Sequence, residues 1–435
     1  MERRGVVVAA CAMACGGAVC ANVITDWNGV LLNAIRADGT APPKAARAMA
    51  MAHVAAFDAV NAIDGTHEHY AFTSGSVAAG TVREAAAAGA MHRMLSALFP
   101  TQQATFDASL STTLSGLGGG SGVTAGLALG QSSADAMLAL RGNDGSGATP
   151  PAYTGGNGIG QWRPAPPANA SGALPHWKDV TPFAMTSGSQ FRGAAPPSVT
   201  SAAYTAAYNQ VKEIGALNSA TRTQDQTNIA RFWIDGPGTA TPPGHMLRIA
   251  STLAEQQNLS VSDSARLFAL LGLAEADAGV AAWDIKYTYS FWRPITAIRA
   301  GDADGNAGTA GDSAWAPLIP TPNHPSYTSG HSTFSAAGAA VIENFFGTSS
   351  LSFVDSSETA GVPDRAFTDI WDAANEAGLS RIYGGIHWSF DNEEGLACGE
   401  LIGDWVFGNY LRPVPAPSGV VVMALSVGLL ARRRR

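Results

Sequence analysis

The chain has 435 residues, of which 46% are hydrophobic and 14% are charged. Such a composition can bury a large core, so it excludes a disordered chain and indicates a globular protein. The net charge of −8 argues against nucleic acid or an anionic membrane surface as a partner, because both attract basic proteins. No internal repeat of fixed period is found, and we expect one folded unit.

The N-terminal residues 1–21 have the pattern of a secretory signal peptide. Two arginines near the start precede a small apolar run over residues 5–19, and the small residues Cys20 and Ala21 follow it. We expect cleavage after Ala21, with lipidation at Cys20 and a buried first helix as the alternatives. Of the four cysteines only Cys398 would remain, so no disulfide is expected even in an oxidising compartment.

Helical periodicity dominates the rest of the chain, and no segment shows strand alternation of comparable length. We therefore predict an all-α helical bundle, with one domain over residues 22–410. Three long connections rich in Gly, Pro and Asn are expected to form lids or walls of a site, over 141–171, 235–244 and 301–325. The predicted helices are 43–63, 82–98, 123–140, 205–217, 225–234, 246–256, 262–281, 334–346, 366–381 and 394–410.

Two further segments between helices, 233–238 and 242–245, contain Trp233, Asp235 and His245. They could line the entrance of a site. A packed tryptophan, an Asx turn and a surface histidine explain the same residues, so no role is assigned to them.

Two cations bracket an aromatic sequence between Lys286 and Pro294. Lys286 and Arg293 are seven residues apart, and on a continuous helix this spacing would place both on one face, within reach of one anion. Taken alone, the pair also fits a solvated helix face.

A second segment, 326–332, contains Ser329, Gly330 and His331 just ahead of a predicted helix. Glycine allows the backbone to approach a ligand closely, and the N–H groups at a helix start bind oxyanions. A plain turn is the alternative for an isolated Ser-Gly-His sequence.

A third segment, 380–391, contains Arg381, His387 and Asp391. His387 and Asp391 are four residues apart, a helical spacing at which a carboxylate can orient an imidazole and fix its tautomer. The alternative is a buried histidine that serves packing alone.

Together the three segments supply three cations, a hydroxyl, backbone N–H donors and two histidines, which suit a phosphate or vanadate oxyanion. In order and spacing they resemble the superfamily that unites vanadium-dependent haloperoxidases with type-2 phosphatidic acid phosphatases. Its signature is Lys-x6-Arg-Pro, then Pro-Ser-Gly-His, then Ser-Arg-x5-His-x3-Asp, and Thr328 stands here where the second motif usually has proline. The resemblance implies paired four-helix bundles with the oxyanion site in one of them.

For a haloperoxidase, the resemblance implies vanadate as cofactor, with His387 bound to vanadium. His331 would be the acid–base group towards hydrogen peroxide, Lys286 would polarise the bound peroxide, and a halide would be oxidised to hypohalous acid. The implied vanadate-binding residues are Lys286, Arg293, Ser329, Gly330, Arg381 and His387. Three further residues are expected to support them: Asp391, Asp284 and His324.

The same residues would serve an acid phosphatase, in which His387 attacks the phosphorus of a phosphate ester and His331 protonates the leaving alcohol. We favour the haloperoxidase because the Phe-Trp-Arg-Pro sequence at 291–294 resembles that branch, and because we predict no membrane span of the kind that lipid-phosphate phosphatases carry. His324 stands where bromide-oxidising relatives have histidine and chloride-oxidising relatives have phenylalanine, which favours bromide or iodide, although a plain loop histidine is the alternative. A catalytically silent surface protein is the third possibility.

Residues 411–435 resemble the PEP-CTERM sorting signal of Gram-negative bacteria, with a Val-Pro-Ala-Pro-Ser sequence, small or apolar residues over 419–431 and a basic end. The resemblance implies processing by an exosortase, and Ala416 stands where that signal has glutamate. The apolar run as a helix spans about 20 Å, less than the roughly 30 Å hydrocarbon core, so a permanent anchor is the less favoured alternative. We expect an exported protein that is periplasmic, on the cell surface or extracellular.

Overall fold

The computed structural model describes residues 22–415, in which 13 α-helices and one two-stranded antiparallel sheet are present. The all-α prediction is confirmed. The predicted signal peptide and the sorting tail beyond residue 415 lie outside the described residues. The helices are α1 (Val23–Asp38), α2 (Pro42–Asp64), α3 (Arg83–Leu98), α4 (Gln103–Leu117), α5 (Ser121–Arg141), α6 (Ala202–Ile214), α7 (Gln224–Phe232), α8 (Thr241–Gln256), α9 (Val261–Tyr289), α10 (Pro294–Arg299), α11 (Gly330–Phe346), α12 (Ile370–Tyr383) and α13 (Ser389–Asn409), and the strands are β1 (Phe353–Asp355) and β2 (Arg365–Phe367).

The central element is α9, which packs against α2 on one side and against α11 and α13 on the other. Every residue from Leu267 to Tyr287 is buried, as expected of a helix that is surrounded by others. Each fully buried leucine or phenylalanine in this run stabilises the fold by about 1.5–3 kcal/mol relative to an exposed side chain. The C-terminal end of α9 delivers Lys286 to the interior.

Helices α11 and α13 lie against each other in parallel, and glycine makes their close approach possible. A Cβ atom on Gly399 would lie 2.3 Å from the carbonyl oxygen of Thr333, and one on Gly403 would lie 2.6 Å from that of Ala337. Each advance of four residues along α13 thus matches an advance of four along α11. The two helices therefore begin at the same end of the bundle, where residues 329–331 meet residues 387–391.

The predicted helices are present with shifted ends, and α9 shows the largest difference. It continues to Tyr289 instead of ending at residue 281, because burial of Trp283, Ile285 and Tyr287 outweighs the weak helix propensity of aromatic and β-branched residues. Helices α1, α4 and α10 are not among the predicted ones. In α4 only Phe106 is buried, so its apolar periodicity is too weak to detect.

The end of the described chain packs on the body of the protein. Leu411 is buried, the amide of Val414 donates to the carbonyl of Thr66 at 3.0 Å, and Arg412 pairs with Glu68 at 2.8 Å. The packed body thus continues a few residues beyond the predicted boundary at residue 410. Between residues 22 and 415, no helix combines the length and the apolar character that a membrane crossing requires.

Candidate active site

The second and third sequence segments line one cavity of about 410 Å³, and the first lies next to its lining, where Arg293 contacts His324 and His387. The amide of Ser329 donates to the carbonyl of Asp391 at 2.9 Å, which joins the start of α11 to the start of α13. Two of the three connections predicted to form walls contribute to the lining, through residues 235–242 and 319–324. The candidate site residues that line the cavity are His324, Gly330, His331, Arg381 and His387, and six prolines line it as well: Pro42, Pro43, Pro237, Pro242, Pro320 and Pro322.

His387 is held in one tautomer. It lies just before α13, and its Nδ1 is 2.7 Å from Oδ2 of Asp391, while its Nε2 is 3.0 Å from Nη1 of Arg293. A guanidinium can only donate, so Nε2 carries the lone pair and the Nδ1–H donates to Asp391. The expected contact between the two residues is therefore present, although His387 itself precedes the helix that contains Asp391.

Asp391 is fixed in turn by its surroundings. Its Oδ2 accepts from the amide of Trp388 at 3.2 Å and from the hydroxyl of Ser326. Burial raises the pKa of Asp391 to about 6, against the hydrogen bond from Ser326 and the charge of Lys286. The hydroxyl of Thr328 donates to the main-chain carbonyl of Asp391 at 2.7 Å, so the residue that replaces the motif proline ties its turn to α13.

The prediction that Lys286 and Arg293 share one helical face is wrong. Helix α9 ends at Tyr289, Ser290 has a left-handed φ of 46°, and Arg293 is the N-cap of α10. The two side chains meet because both reach the segment 324–328. Lys286 Nζ donates to the carbonyls of Pro325 at 3.0 Å and Ser326 at 3.1 Å and to that of Thr328.

Arg293 is fully buried and makes contact with two histidines. Its Nε donates to the carbonyl of His324 at 2.8 Å, and its Nη2 lies 2.9 Å from Nδ1 of the same residue. The His324 ring lies next to Trp283, with a distance of 5.1 Å between ring centroids. Because Nδ1 accepts from Arg293, the remaining proton of neutral His324 is on Nε2.

The start of α11 presents its backbone to the cavity. Ser329 is the N-cap and accepts from the amide of Ser332 at 3.3 Å. Gly330 is the first helical residue, and a Cβ atom there would come no closer than 3.9 Å to Phe334 and Trp283. The face of Gly330 without a side chain therefore opens into the cavity. The N–H groups of a helix start favour a negatively charged ligand at this place.

Arg381 and His331 complete the set. Arg381, on α12, donates through Nη1 to the carbonyl of Trp233 at 2.6 Å. Nothing in the described chain accepts a hydrogen bond from its Nε, and nothing described bonds to Nε2 of His331. Both atoms are therefore available to a ligand in the cavity.

Burial in the site disfavours the charged forms of its three basic side chains. Burial lowers the pKa of Lys286 well below its ordinary value, and the charge of Arg293 lowers it further. Burial also lowers the pKa of Arg293 to about 9 and that of Arg381 to about 10, although Asp391 and Asp235 respectively oppose the change. An anion bound between these three side chains would raise their pKa values again, because a nearby negative charge favours the charged form of each.

The three histidines of the cavity are neutral at neutral pH. Burial, followed by the charge of Arg381, lowers the pKa of His331 well below its ordinary value. Burial and the charges of Arg293 and Lys286 do the same for His324 and His387. A neutral His331 can accept a proton, and a neutral His387 can offer its Nε2 lone pair.

One proposed supporting residue lies elsewhere. The structure contradicts the expectation for Asp284, whose carboxylate pairs with Arg192 at 2.6 Å and 2.8 Å on the far side of α9 from Lys286. Two positions along a helix turn a side chain by about 200°, so Asp284 and Lys286 point to opposite sides of α9.

A cluster on the segment 233–245 was missed by the sequence prediction. His245 is buried instead of being a surface residue; its Nδ1 lies 3.1 Å from Asp235, and its Nε2 bonds to Asp355. The usable signal was the Trp-Ile-Asp sequence followed by glycines and prolines between two helices, since such a rigid turn often lines a site.

The donor set fits an oxyanion better than a metal cation. Arg381, Gly330 and His387 line the cavity, and Lys286 and Arg293 lie next to this lining, through contacts with Pro325 and with His387. The described residues contain no group of three or more His, Cys, Asp or Glu side chains that could hold a metal ion. Vanadate fits this set, because its oxygens take charged donors and its vanadium takes one imidazole nitrogen. The imidazole nitrogen with a lone pair on the third segment is Nε2 of His387, which accepts from Arg293 at 3.0 Å.

Comparison with known proteins agrees with an oxyanion site that suits vanadate. Residues 266–415 match the family model described as the VCPO second helical-bundle domain. The chain is 28% identical, over 485 aligned positions, to the vanadium chloroperoxidase of Curvularia inaequalis, and the alignment covers 85% of this chain and 79% of that protein.

Solved structures agree with the sequence comparison. The crystal structure of the first bacterial vanadium-dependent iodoperoxidase matches with a TM-score of 0.81 and 27% identity, over 91% of this chain and 98% of that one. An apo-type bacterial vanadium-dependent chloroperoxidase shares the fold, with a TM-score of 0.68 and 17% identity over 85% of this chain and 94% of its own. The chain is thus similar in sequence and fold to proteins of the vanadium haloperoxidase family.

Proposed function

We propose that the protein is a vanadium-dependent haloperoxidase that oxidises bromide or iodide with hydrogen peroxide to hypohalous acid. The observation that carries the proposal is the neutral His387, whose Nδ1–H is held by Asp391 at 2.7 Å and whose Nε2 stands among buried cations at the cavity. A tautomer fixed in this way is how proteins present a histidine to a metal centre. The similarity to a bacterial iodoperoxidase over nearly the whole chain supports the same activity.

When bound, vanadate would supply the centre at which hydrogen peroxide is activated towards a halide. Arg293, Arg381 and Lys286 would neutralise its oxygens, and the Gly330 N–H would donate to one of them. Lys286 and Arg293 now donate to main-chain carbonyls of the segment 324–328. Those contacts keep both cations at the cavity before an anion arrives, which limits the reorganisation that binding requires.

His331 is suited to move the protons of the reaction. Its lowered pKa leaves the imidazole neutral at neutral pH, so it can take a proton from hydrogen peroxide as the peroxide binds. Overall, hydrogen peroxide, a halide and a proton give hypohalous acid and water, with two electrons passing from the halide as the O–O bond breaks. The protonated His331 can return its proton to the oxygen that leaves as water.

The halide preference is supported by His324. The residue lines the cavity, its Nδ1 accepts from Arg293 at 2.9 Å, and its Nε2–H can donate towards a large, polarisable anion. The similarity of the chain to a bacterial vanadium-dependent iodoperoxidase agrees with this preference. The matched variant is His324→Phe, which keeps a planar ring and removes the N–H.

The test uses the purified protein loaded with orthovanadate. We expect vanadate-dependent halogenation of a phenol-red or monochlorodimedone reporter with hydrogen peroxide and iodide or bromide, and little with chloride. In His324→Phe, turnover with bromide and iodide should fall relative to turnover with chloride. Hydrolysis of p-nitrophenyl phosphate by the vanadium-free protein, inhibited by vanadate and unaccompanied by halogenation, would instead make the protein a phosphatase. Absence of both activities and of vanadate binding would indicate a catalytically silent protein.

We also propose that the protein is exported and then processed at its C-terminus. The support is the sequence pattern of residues 1–21 and the PEP-CTERM-like pattern of residues 411–435. N-terminal sequencing and intact mass of the protein from its host are the test. A chain that begins at Asn22 and lacks the basic end is expected, and a chain with both ends intact would contradict both steps.

A further inference from the structure

A second histidine, remote from His387, lies in a buried charged cluster next to the cavity. His245 is 1% exposed. Its Nδ1 is 3.2 Å and 3.1 Å from the two carboxylate oxygens of Asp235, and its Nε2 bonds to the carboxylate of Asp355. A neutral imidazole has one N–H and one lone pair, so it would direct a lone pair at one of the two carboxylates. The arrangement therefore requires an imidazolium.

Acidic and basic side chains alternate in the cluster around His245. Asp355 also accepts from Arg248 at 2.7 Å, Arg248 pairs with Glu358 at 3.1 Å, and Glu358 pairs with Arg36 at 2.8 Å. On the cavity side the charged or titratable groups are Asp235, Arg381 and His331. Burial lowers the pKa of both Arg381 and His331; the charge of Asp235 opposes this change for Arg381, and the charge of His245 adds to it for His331. The cluster connects α1, α8 and β1 to the segment that follows α7.

That segment forms a wall of the active-site cavity. Ile234 and Asp235 line the cavity together with Arg381 and His331. The carbonyl of Trp233 accepts from Arg381 at 2.6 Å. The Trp233 ring stacks on the His245 ring, with 4.3 Å between centroids and an interplanar angle of 24°.

The backbone of this wall needs a restraint. Asp235 has a φ of 42°, a left-handed value that is unfavourable for a residue other than glycine. The contact between Asp235 and His245 supplies a charge-assisted hydrogen bond at this position. Without it, the peptide that presents the Trp233 carbonyl would have alternatives of lower strain.

We infer that His245 is a positioning residue: as an imidazolium clamped between Asp235 and Asp355, it holds the wall at residues 233–235 so that the Trp233 carbonyl orients Arg381 at the oxyanion site. The inference depends on the proposed function only for the oxyanion site itself, and it applies whether vanadate or phosphate is bound. His245 lies outside the donor set that faces the ligand and acts through Asp235 and Trp233.

The test measures anion binding, which needs no turnover. Equilibrium dialysis of the full-length protein with orthovanadate and, separately, with inorganic phosphate would give dissociation constants for the wild type and for His245→Gln. We expect affinity to fall by about tenfold or more for both anions, the effect usual for the loss of a residue that orients a ligand-binding group. An unchanged affinity for both anions would overturn the inference.

The matched control is His53→Gln. His53 is also 1% exposed, and its Nε2 lies 3.0 Å from Asn28 in a contact that glutamine can keep. Melting temperatures are recorded for both variants. Loss of anion affinity in His245→Gln but not in His53→Gln supports the inference, whereas equal losses in the two variants would reduce it to a general effect of destabilisation and overturn it.

A double-mutant cycle with Asp235→Asn tests the route of the effect. If His245 acts through Asp235, the single variant Asp235→Asn should lose anion affinity too, and the double variant should lose little more than either single one. Additive losses would overturn the route. If His245→Gln does not fold, Asp235→Asn measured against His53→Gln decides the matter: retained anion affinity contradicts the inference and lost affinity supports it. Absence of halogenation by the wild type with intact anion binding would contradict the proposed reaction and leave this inference standing.

Discussion

Arg293 donates to Nε2 of His387 across 3.0 Å, so a permanent cation marks the position of the lone pair that a metal centre would take. The contact also keeps His387 from being protonated, since an imidazolium would place two positive groups against each other. Proton and guanidinium thus compete for one nitrogen. The same nitrogen is the one that Asp391 makes available by fixing the opposite side of the ring.

Replacing the carboxylate behind His387 should weaken vanadate binding. In Asp391→Asn the amide can direct its NH₂ group at Nδ1, which would favour the wrong tautomer and remove the acceptor for Ser326. We expect a loss of about 10–100-fold in vanadate affinity, measured by equilibrium dialysis. Asp284→Asn is the matched control, because its carboxylate pairs with Arg192 away from the site. Equal losses in the two variants would contradict the orienting role of Asp391.

Removal of His331 should separate binding from turnover. No described residue bonds to its Nε2, so His331→Ala leaves the other anion-binding groups in place and should retain vanadate affinity. Halogenation should fall by roughly 10²-fold or more, because the proton acceptor is lost. Steady-state kinetics and dialysis on the same preparation check both parts. Full activity in this variant would rule out the assigned role, and His387→Ala, which should abolish activity, is its companion.

The buried Glu275 predicts a stabilising substitution. It lies in the middle of α9, is 0% exposed, and neither of its carboxyl oxygens has a hydrogen-bond partner among the described residues. Burial raises its pKa well above the ordinary value. Glu275→Met, similar in length and apolar, should raise the free energy of unfolding by about 1–3 kcal/mol without changing halogenation.

The control for that substitution is Glu275→Gln, which keeps the shape and also keeps an unpaired polar group. Its stability should stay close to that of the wild type, as measured by chemical denaturation at neutral pH. If Glu275→Gln gains as much stability as Glu275→Met, the wild-type protein is destabilised by ionisation of Glu275 and not by its missing hydrogen-bond partners.

The stability of the protein should depend on pH through His245. Burial lowers its pKa, but Asp235 and Asp355 outweigh burial and raise the pKa from 6.5 to about 9. A raised pKa means that the folded state favours the imidazolium, so this stabilisation is complete below about pH 6.5 and is lost as the pH rises through 9. The full effect is roughly 3 kcal/mol.

The measurement compares unfolding free energies of the wild type and His245→Gln between about pH 6 and pH 10. The difference between the two proteins should shrink as the pH rises. His53→Gln should show no such trend, since burial lowers the pKa of His53 to about 3 and it is neutral throughout. A constant difference between wild type and His245→Gln would show that His245 is not an imidazolium.

The sequence predicted which residues meet more reliably than how they meet. Spacing indicated that His387 and Asp391 are in contact, since a helical turn and the start of a helix place residues four apart at similar distances. Lys286 and Arg293 also converge, but through separate helices and a shared partner segment, 324–328. Spacing of seven residues cannot distinguish one helix from two, because the break at Ser290 depends on tertiary packing.

Residues with roles that depend on distant partners could not be predicted. His245 has a surface-like context in sequence, and its burial results from Asp355, which is 110 positions away. Asp284 was expected to support the site, but its carboxylate pairs with Arg192, 92 positions away. Long-range pairs of this kind leave no periodic pattern along the chain.

The composition of the cavity wall has a chemical consequence if the protein makes hypohalous acid, as proposed. Thioethers and thiols are the side chains most easily oxidised, and the residues that line the cavity in the described chain include neither methionine nor cysteine. Six prolines among them carry no N–H, so at these positions the backbone offers no nitrogen that hypohalous acid could halogenate. The wall would therefore offer the proposed product no sulfur to oxidise, which leaves the rings of Trp283 and the three cavity histidines as its reactive side chains.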